Sequence, residues 1–145
     1  MEEQMEYMLH YVWQHRLYGQ PPLLSDQGTR IEVIDPGVHN LVNAGPDFFN
    51  AKVRIDGVLW AGNVEVHELA SDWFRHRHEH DPAYNNVILH VVGKVDAAAR
   101  TADGKLPPQI ALLLVVVSTL LTLISGIIPS RSAARKDPVV ALRTE

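Results

Sequence analysis

Cysteine is absent from the 145-residue chain. Disulfides and thiolate-bound zinc are therefore excluded, and the redox compartment leaves no mark on this feature. The start, Met1-Glu2-Glu3-Gln4, has no apolar stretch, so no secretory leader is expected there. An excess of positive charge is missing too, since the formal net charge is −4. Residues 1–109 carry 9 Lys+Arg against 15 Asp+Glu, and residues 110–145 carry 4 against 2. An acidic domain lacks the electrostatic footprint of non-specific nucleic-acid binding. No internal repeat stands out.

What is present divides unevenly. Mean hydropathy of −0.06 averages a polar stretch with a very apolar one. Residues 3–18 place Met5, Met8, Leu9 and Val12 at helical spacing beside Trp13, with Gly19 and Pro21-Pro22 as the stop. His10 and His15 fall on the outer face of that helix. Arg30 to Ile34 predicts a strand closed by the Asp35-Pro36-Gly37 turn. Phe48 to Ile55 and Val58 to His67 predict two strands joined by Asp56-Gly57, a strong local hairpin signal. Ser71-Asp72 caps a short helix through Arg77. Val87 to Val92 suits a buried strand, and Ala97 to Pro108 reads as loop. Trp60, Trp73 and Tyr84 are assigned to the core. The expected fold is an α/β (α+β) domain with a small mixed sheet.

Ile110 to Ile128 contains no charge over 19 residues. At about 1.5 Å per residue it spans roughly 28 Å as a helix, close to a bilayer's hydrocarbon thickness. A transmembrane helix over 110–129 and a basic cytoplasmic tail over 130–145 are the expectation. Ser118, Thr119, Thr122, Ser125 and Gly126 suit packing against other membrane helices. Arg131, Arg135 and Lys136 place that end inside. The N-terminal domain, without an export signal, also stays inside, and one crossing does not satisfy both. The run from Gly126 through Pro129-Ser-Arg-Ser-Ala-Ala-Arg-Lys-Asp-Pro-Val-Val-Ala-Leu-Arg143 resembles the C-terminal helix and tail of FtsX-like ABC-transporter permeases. That resemblance implies an inner-membrane location and other permease helices as partners.

Residues 5–109 resemble the N-terminal part of a bacterial (Bacteroidetes-type) family of unknown function. The carrying residues are Glu32-Val-Ile-Asp-Pro-Gly, Ala44-Gly-Pro-Asp-Phe-Phe-Asn-Ala-Lys, Gly62-Asn-Val-Glu-Val-His, Ser71-Asp-Trp, His76-x-His78, Asp81-x-x-Tyr84 and Asn86-Val-Ile-Leu-His-Val-Val. The family's chains are longer, so the resemblance implies a truncated copy whose junction lies near Gln109. The location is then cytoplasmic if the membrane segment belongs elsewhere.

Asp47 precedes one predicted strand and Glu65-Val66-His67 lies on the next. A hairpin brings the two close, and alternation puts Glu65 and His67 on one face. This resembles the PD-(D/E)xK nuclease pattern, with His67 where that pattern has lysine, and the element order matches a restriction-endonuclease-like core. Two carboxylates, Asp47 and Glu65, are oxygen ligands for Mg²⁺ or Mn²⁺, and a metal there activates water against a phosphodiester. His67 serves as the water-positioning base. Asp72 and His76 stand as supporting residues. A second constellation, His76, His78 and His80 with Asp72, Asp81 and His90, has the ligand types for zinc. Histidines two apart diverge on a helix, however, and charged neighbours point to a polar surface. The leading reading is a truncated, metal-dependent nuclease or phosphodiesterase-like domain meeting nucleic acid through its metal. Beside it stand a non-catalytic membrane protein related to a permease and a junction product without a function of its own.

Overall fold

The computed structural model describes residues 2–112. The chain opens with α1 (Glu2–Gln14), followed by β1 (Leu23–Leu24), β2 (Arg30–Asp35), β3 (Val38–His39), β4 (Phe48–Ile55) and β5 (Val58–Leu69). Next come the single-turn α2 (Asp72–Arg75), two 3-10 turns (His78–His80 and Pro82–Tyr84), β6 (Val87–Lys94) and β7 (Gln109–Ala111). The seven strands form one sheet in the order β1-β2-β4-β5-β6-β7, with β3 on β4. Pairing is antiparallel up to β5, then parallel from β5 to β6 and from β6 to β7.

The predicted hairpin forms in the expected register, Ile55 opposite Val58. Asp56 and Gly57 both take positive φ, 47° and 84°, the geometry a two-residue turn of matching twist requires. One sheet face packs under α1, where Leu9, Val12 and Trp13 meet Phe48, Val64, Val66, Leu89 and Val91. Alternation then turns Glu65, His67 and His90 to the other face, toward α2 and the 3-10 turns. Trp73 and Tyr84 join a second small cluster there. Trp60, expected in the core, is half-exposed on the hairpin.

The expected fold class does not hold. The crossover from β5 to β6 is one helical turn and two 3-10 turns, not a full helix, and three additional strands complete a mixed sheet. That sheet curls until its ends meet: Asp26, just after β1, donates its N–H to the Gln109 carbonyl on β7 over 2.8 Å. The proposed start of the membrane helix is also corrected. Gln109 to Ala111 is a parallel strand beside β6, and Ile110 and Leu112 are buried in the core. A short apolar, β-branched run has no periodicity that separates a buried strand from a buried helix. Among the described residues no helix is long and apolar enough to cross a membrane. The remainder of the Ile110–Ile128 segment and the basic tail lie outside the described residues.

Candidate metal centre

The hairpin brings the predicted residues together. The Asp47 N–H donates to Glu65 Oε2 over 3.1 Å, and Val66 N–H donates to Asp47 Oδ2 over 2.9 Å. These reciprocal bonds tie the start of β4 to the middle of β5. Glu65 is 4% exposed and His67 1%. His10 is not a surface residue as expected. Its Nε2 lies 3.3 Å from Asp47 Oδ2, and its ring stands edge-on to Phe48.

Three imidazoles converge. His67, His76 and His78 each offer a ring nitrogen, all within 4.8 Å of one another. His67 Nε2 is 3.2 Å from His76 Nδ1 and 3.4 Å from Glu65 Oε1. His78 Nε2 is 3.1 Å from that same Oε1, yet this buried nitrogen makes no hydrogen bond. Arg77 makes the convergence possible. It takes the left-handed conformation, φ 61° and ψ 31°, and so reverses the divergence that residues two apart have on a helix. His80, included in the sequence-based zinc set, is exposed and pairs with Glu79. The ligand group is thus completed by His67 from the strand, not by His80. Asp72 is buried but engaged elsewhere. Its Oδ2 accepts from Leu69 N–H over 3.1 Å, and its Oδ1 lies 3.1 Å from Arg75.

Burial shapes the electrostatics of the group. Burial, then the charge of Asp47, raises the Glu65 carboxyl well above its ordinary range, against a lowering hydrogen bond from the Asp47 backbone. Burial pushes His67 down to about 2, helped by repulsion from His90, His78 and His76. His78 falls to about 4, again chiefly through burial. Burial thus keeps His67 and His78 in the neutral form that can donate a lone pair to a metal, while it favours the protonated acid at Glu65. Within the set, the 3.2 Å between His67 Nε2 and His76 Nδ1 is close to the roughly 3.3 Å that a tetrahedral ion with bonds of about 2.05 Å sets between its ligand atoms. His76 is exposed and lines a cleft of about 520 Å³ with Glu6, His10, Glu68, Asp72 and Arg75, so the centre has an opening.

Behind His67 the polar contacts continue inward. His67 Nδ1 is 2.8 Å from His90 Nε2, and His90 Nδ1 is 2.7 Å from Gln109 Oε1. His90 is fully buried, and burial lowers it to about 4 against a raising contribution from Gln109. Sequence reading took Gln109 only as a junction and gave it no role at the site. The only signal for it was a polar residue beside an apolar run.

Comparison with known proteins gives one family. The family model described as a protein of unknown function (DUF2851) matches residues 6–134. The match crosses the boundary expected near Gln109 and takes in most of residues 110–145, so nothing in it marks a second family there. No curated protein matches the chain, and no solved structure does.

Proposed function

The chain belongs to the DUF2851 family, and we propose that this member is a metal-dependent hydrolase acting on small phosphodiesters at the His67–His76–His78 centre. The observation that carries this is the convergence of three imidazole nitrogens beside the Glu65 carboxylate, with the buried His78 Nε2 making no hydrogen bond. A nitrogen-rich set suits Zn²⁺ better than the Mg²⁺ or Mn²⁺ that the carboxylates alone suggest. His67, His76 and His78 would hold the ion, which when bound would supply Lewis acidity and a more acidic water.

The chain's own residues then have separate tasks. Glu65 Oε1 lies beside two of the ligands and takes the proton of an attacking water. Asp47 holds Glu65 through its backbone N–H. His67 changes role from base to ligand, and Asp72 fixes the turn that presents His76. The cleft carries Glu3, Glu6, Glu68 and Asp72 against Arg75, which disfavours a polynucleotide far more than a compact substrate with a single negative charge.

The test combines metal content with hydrolysis of bis-p-nitrophenyl phosphate. Chelation is expected to abolish hydrolysis and zinc to restore it. His76→Ala is expected to lose the metal. Glu65→Gln is expected to keep it while losing about 10²- to 10⁴-fold in rate. Unimpaired hydrolysis by Glu65→Gln overturns the assignment. Bound zinc without hydrolysis overturns the catalytic part and leaves a structural metal, consistent with the deep burial of His67.

A further inference from the structure

We infer that His90 and Gln109 are positioning residues that hold the His67 proton on Nδ1 and leave Nε2 bare toward His76 and His78. The inference gives the proposed centre its preorganisation and rests on that reading for its purpose, but the proton's position is decided by contacts that need no metal.

The chain of reasoning starts at Gln109. Its Nε2 lies 2.8 Å from the Ala97 carbonyl and 3.4 Å from Asp26 Oδ2. Both partners only accept, so the amide NH₂ belongs on that side and Oε1 faces His90. The Ala99 N–H, 3.4 Å from Oε1, fits the same orientation. An amide oxygen only accepts, so His90 Nδ1 carries a hydrogen and donates it over 2.7 Å. A buried neutral imidazole carries one N–H, which leaves His90 Nε2 as an acceptor. The 2.8 Å contact to His67 Nδ1 then requires the hydrogen on His67. His67 is itself closed off from solvent, and its single N–H is now used, so Nε2 keeps its lone pair and accepts from His76 Nδ1 over 3.2 Å in the metal-free protein. A ligand histidine whose other nitrogen donates to a fixed acceptor is held in tautomer and ring orientation. The sheet supplies the spacing: Glu65 pairs with His90 across β5 and β6, and His90 with Gln109 across β6 and β7.

The experiment is a long-range ¹H–¹⁵N imidazole spectrum of the metal-free protein, with zinc titrations of variants. Wild-type His67 is expected as the Nδ1–H tautomer. Gln109→Glu keeps an acceptor for His90 and is expected to preserve that tautomer, with zinc affinity within a few-fold. Gln109→Leu removes the acceptor, so that His90 can donate from Nε2 and drive the His67 proton to its own Nε2. Zinc affinity is expected to fall about 10- to 100-fold. An Nε2–H tautomer in the wild type overturns the inference, as does an unchanged spectrum in folded Gln109→Leu. The wild-type spectrum decides even if a variant fails to fold. An Nδ1–H tautomer in a protein that binds no zinc sinks the metal reading and leaves the relay standing.

Discussion

Arg77 is a single residue on which the whole ligand set turns. Its φ of 61° is the left-handed conformation, which glycine adopts freely and β-branched residues almost never do. Arg77→Gly is expected to leave stability unchanged or raise it by about 0.5–1 kcal/mol in urea unfolding, with zinc affinity kept. Arg77→Val is expected to cost roughly 1–3 kcal/mol and to weaken zinc, because the backbone must leave the left-handed region and the rings of His76 and His78 then separate. Equal zinc affinity in folded Arg77→Val would show that the turn does not set the site. The example also marks what the sequence could tell. Asp47, Glu65 and His67 were legible because a hairpin signal and a period of two place them on one face. His78 was not, because a positive φ at an arginine has no local signature, and helical geometry argues that His76 and His78 diverge.

At the scale of the element, β5 and β6 are the pair that carries the chemistry. The predicted hairpin and the Val87 strand appear nearly as expected, since both have turn residues or β-branched runs at their ends. β7 was illegible: it depends on the strand beside it, not on any pattern of its own. Gly62 shows how tightly the parallel pair is joined. A Cβ there would lie 2.4 Å from Ile88 Cγ2 and 2.7 Å from the Asn86 carbonyl oxygen. The side chain can swing away, but that carbonyl accepts the Asn63 N–H over 2.8 Å, so displacing it opens the pairing. Gly62→Ala is therefore expected to lose about 1–3 kcal/mol, the usual cost of overpacking. It should also weaken zinc, since any shift of β6 moves His90 away from His67. A variant as stable as the parent would mean that the two strands part without cost at this end.

Across the whole molecule, the curled sheet buries a group of histidines that ordinary aqueous chemistry would leave charged below neutral pH. The consequence has a definite sign. His67 in the fold is lowered to about 2, and His78 and His90 to about 4, from an ordinary value of 6.5. Between those values the unfolded chain binds protons that the folded one refuses, so stability rises with pH there. The histidine contribution is complete above about 6.5 and is lost as pH falls toward 4. Glu65 runs the other way. Its carboxyl is raised above 4.5 in the fold, so it stabilises at low pH and loses that contribution as pH rises through its shifted value. Three imidazoles oppose one carboxyl, and the metal-free protein is expected to melt at progressively lower temperature from pH 7 to pH 4.5. Zinc should raise the melting temperature more at pH 7 than at pH 4.5, because metal binding competes with protons for its ligands. His78→Gln, which removes one of the three, should flatten the metal-free profile. A profile without slope over that range would mean that the histidines take up protons inside the fold, and that the centre is wetter than its geometry implies.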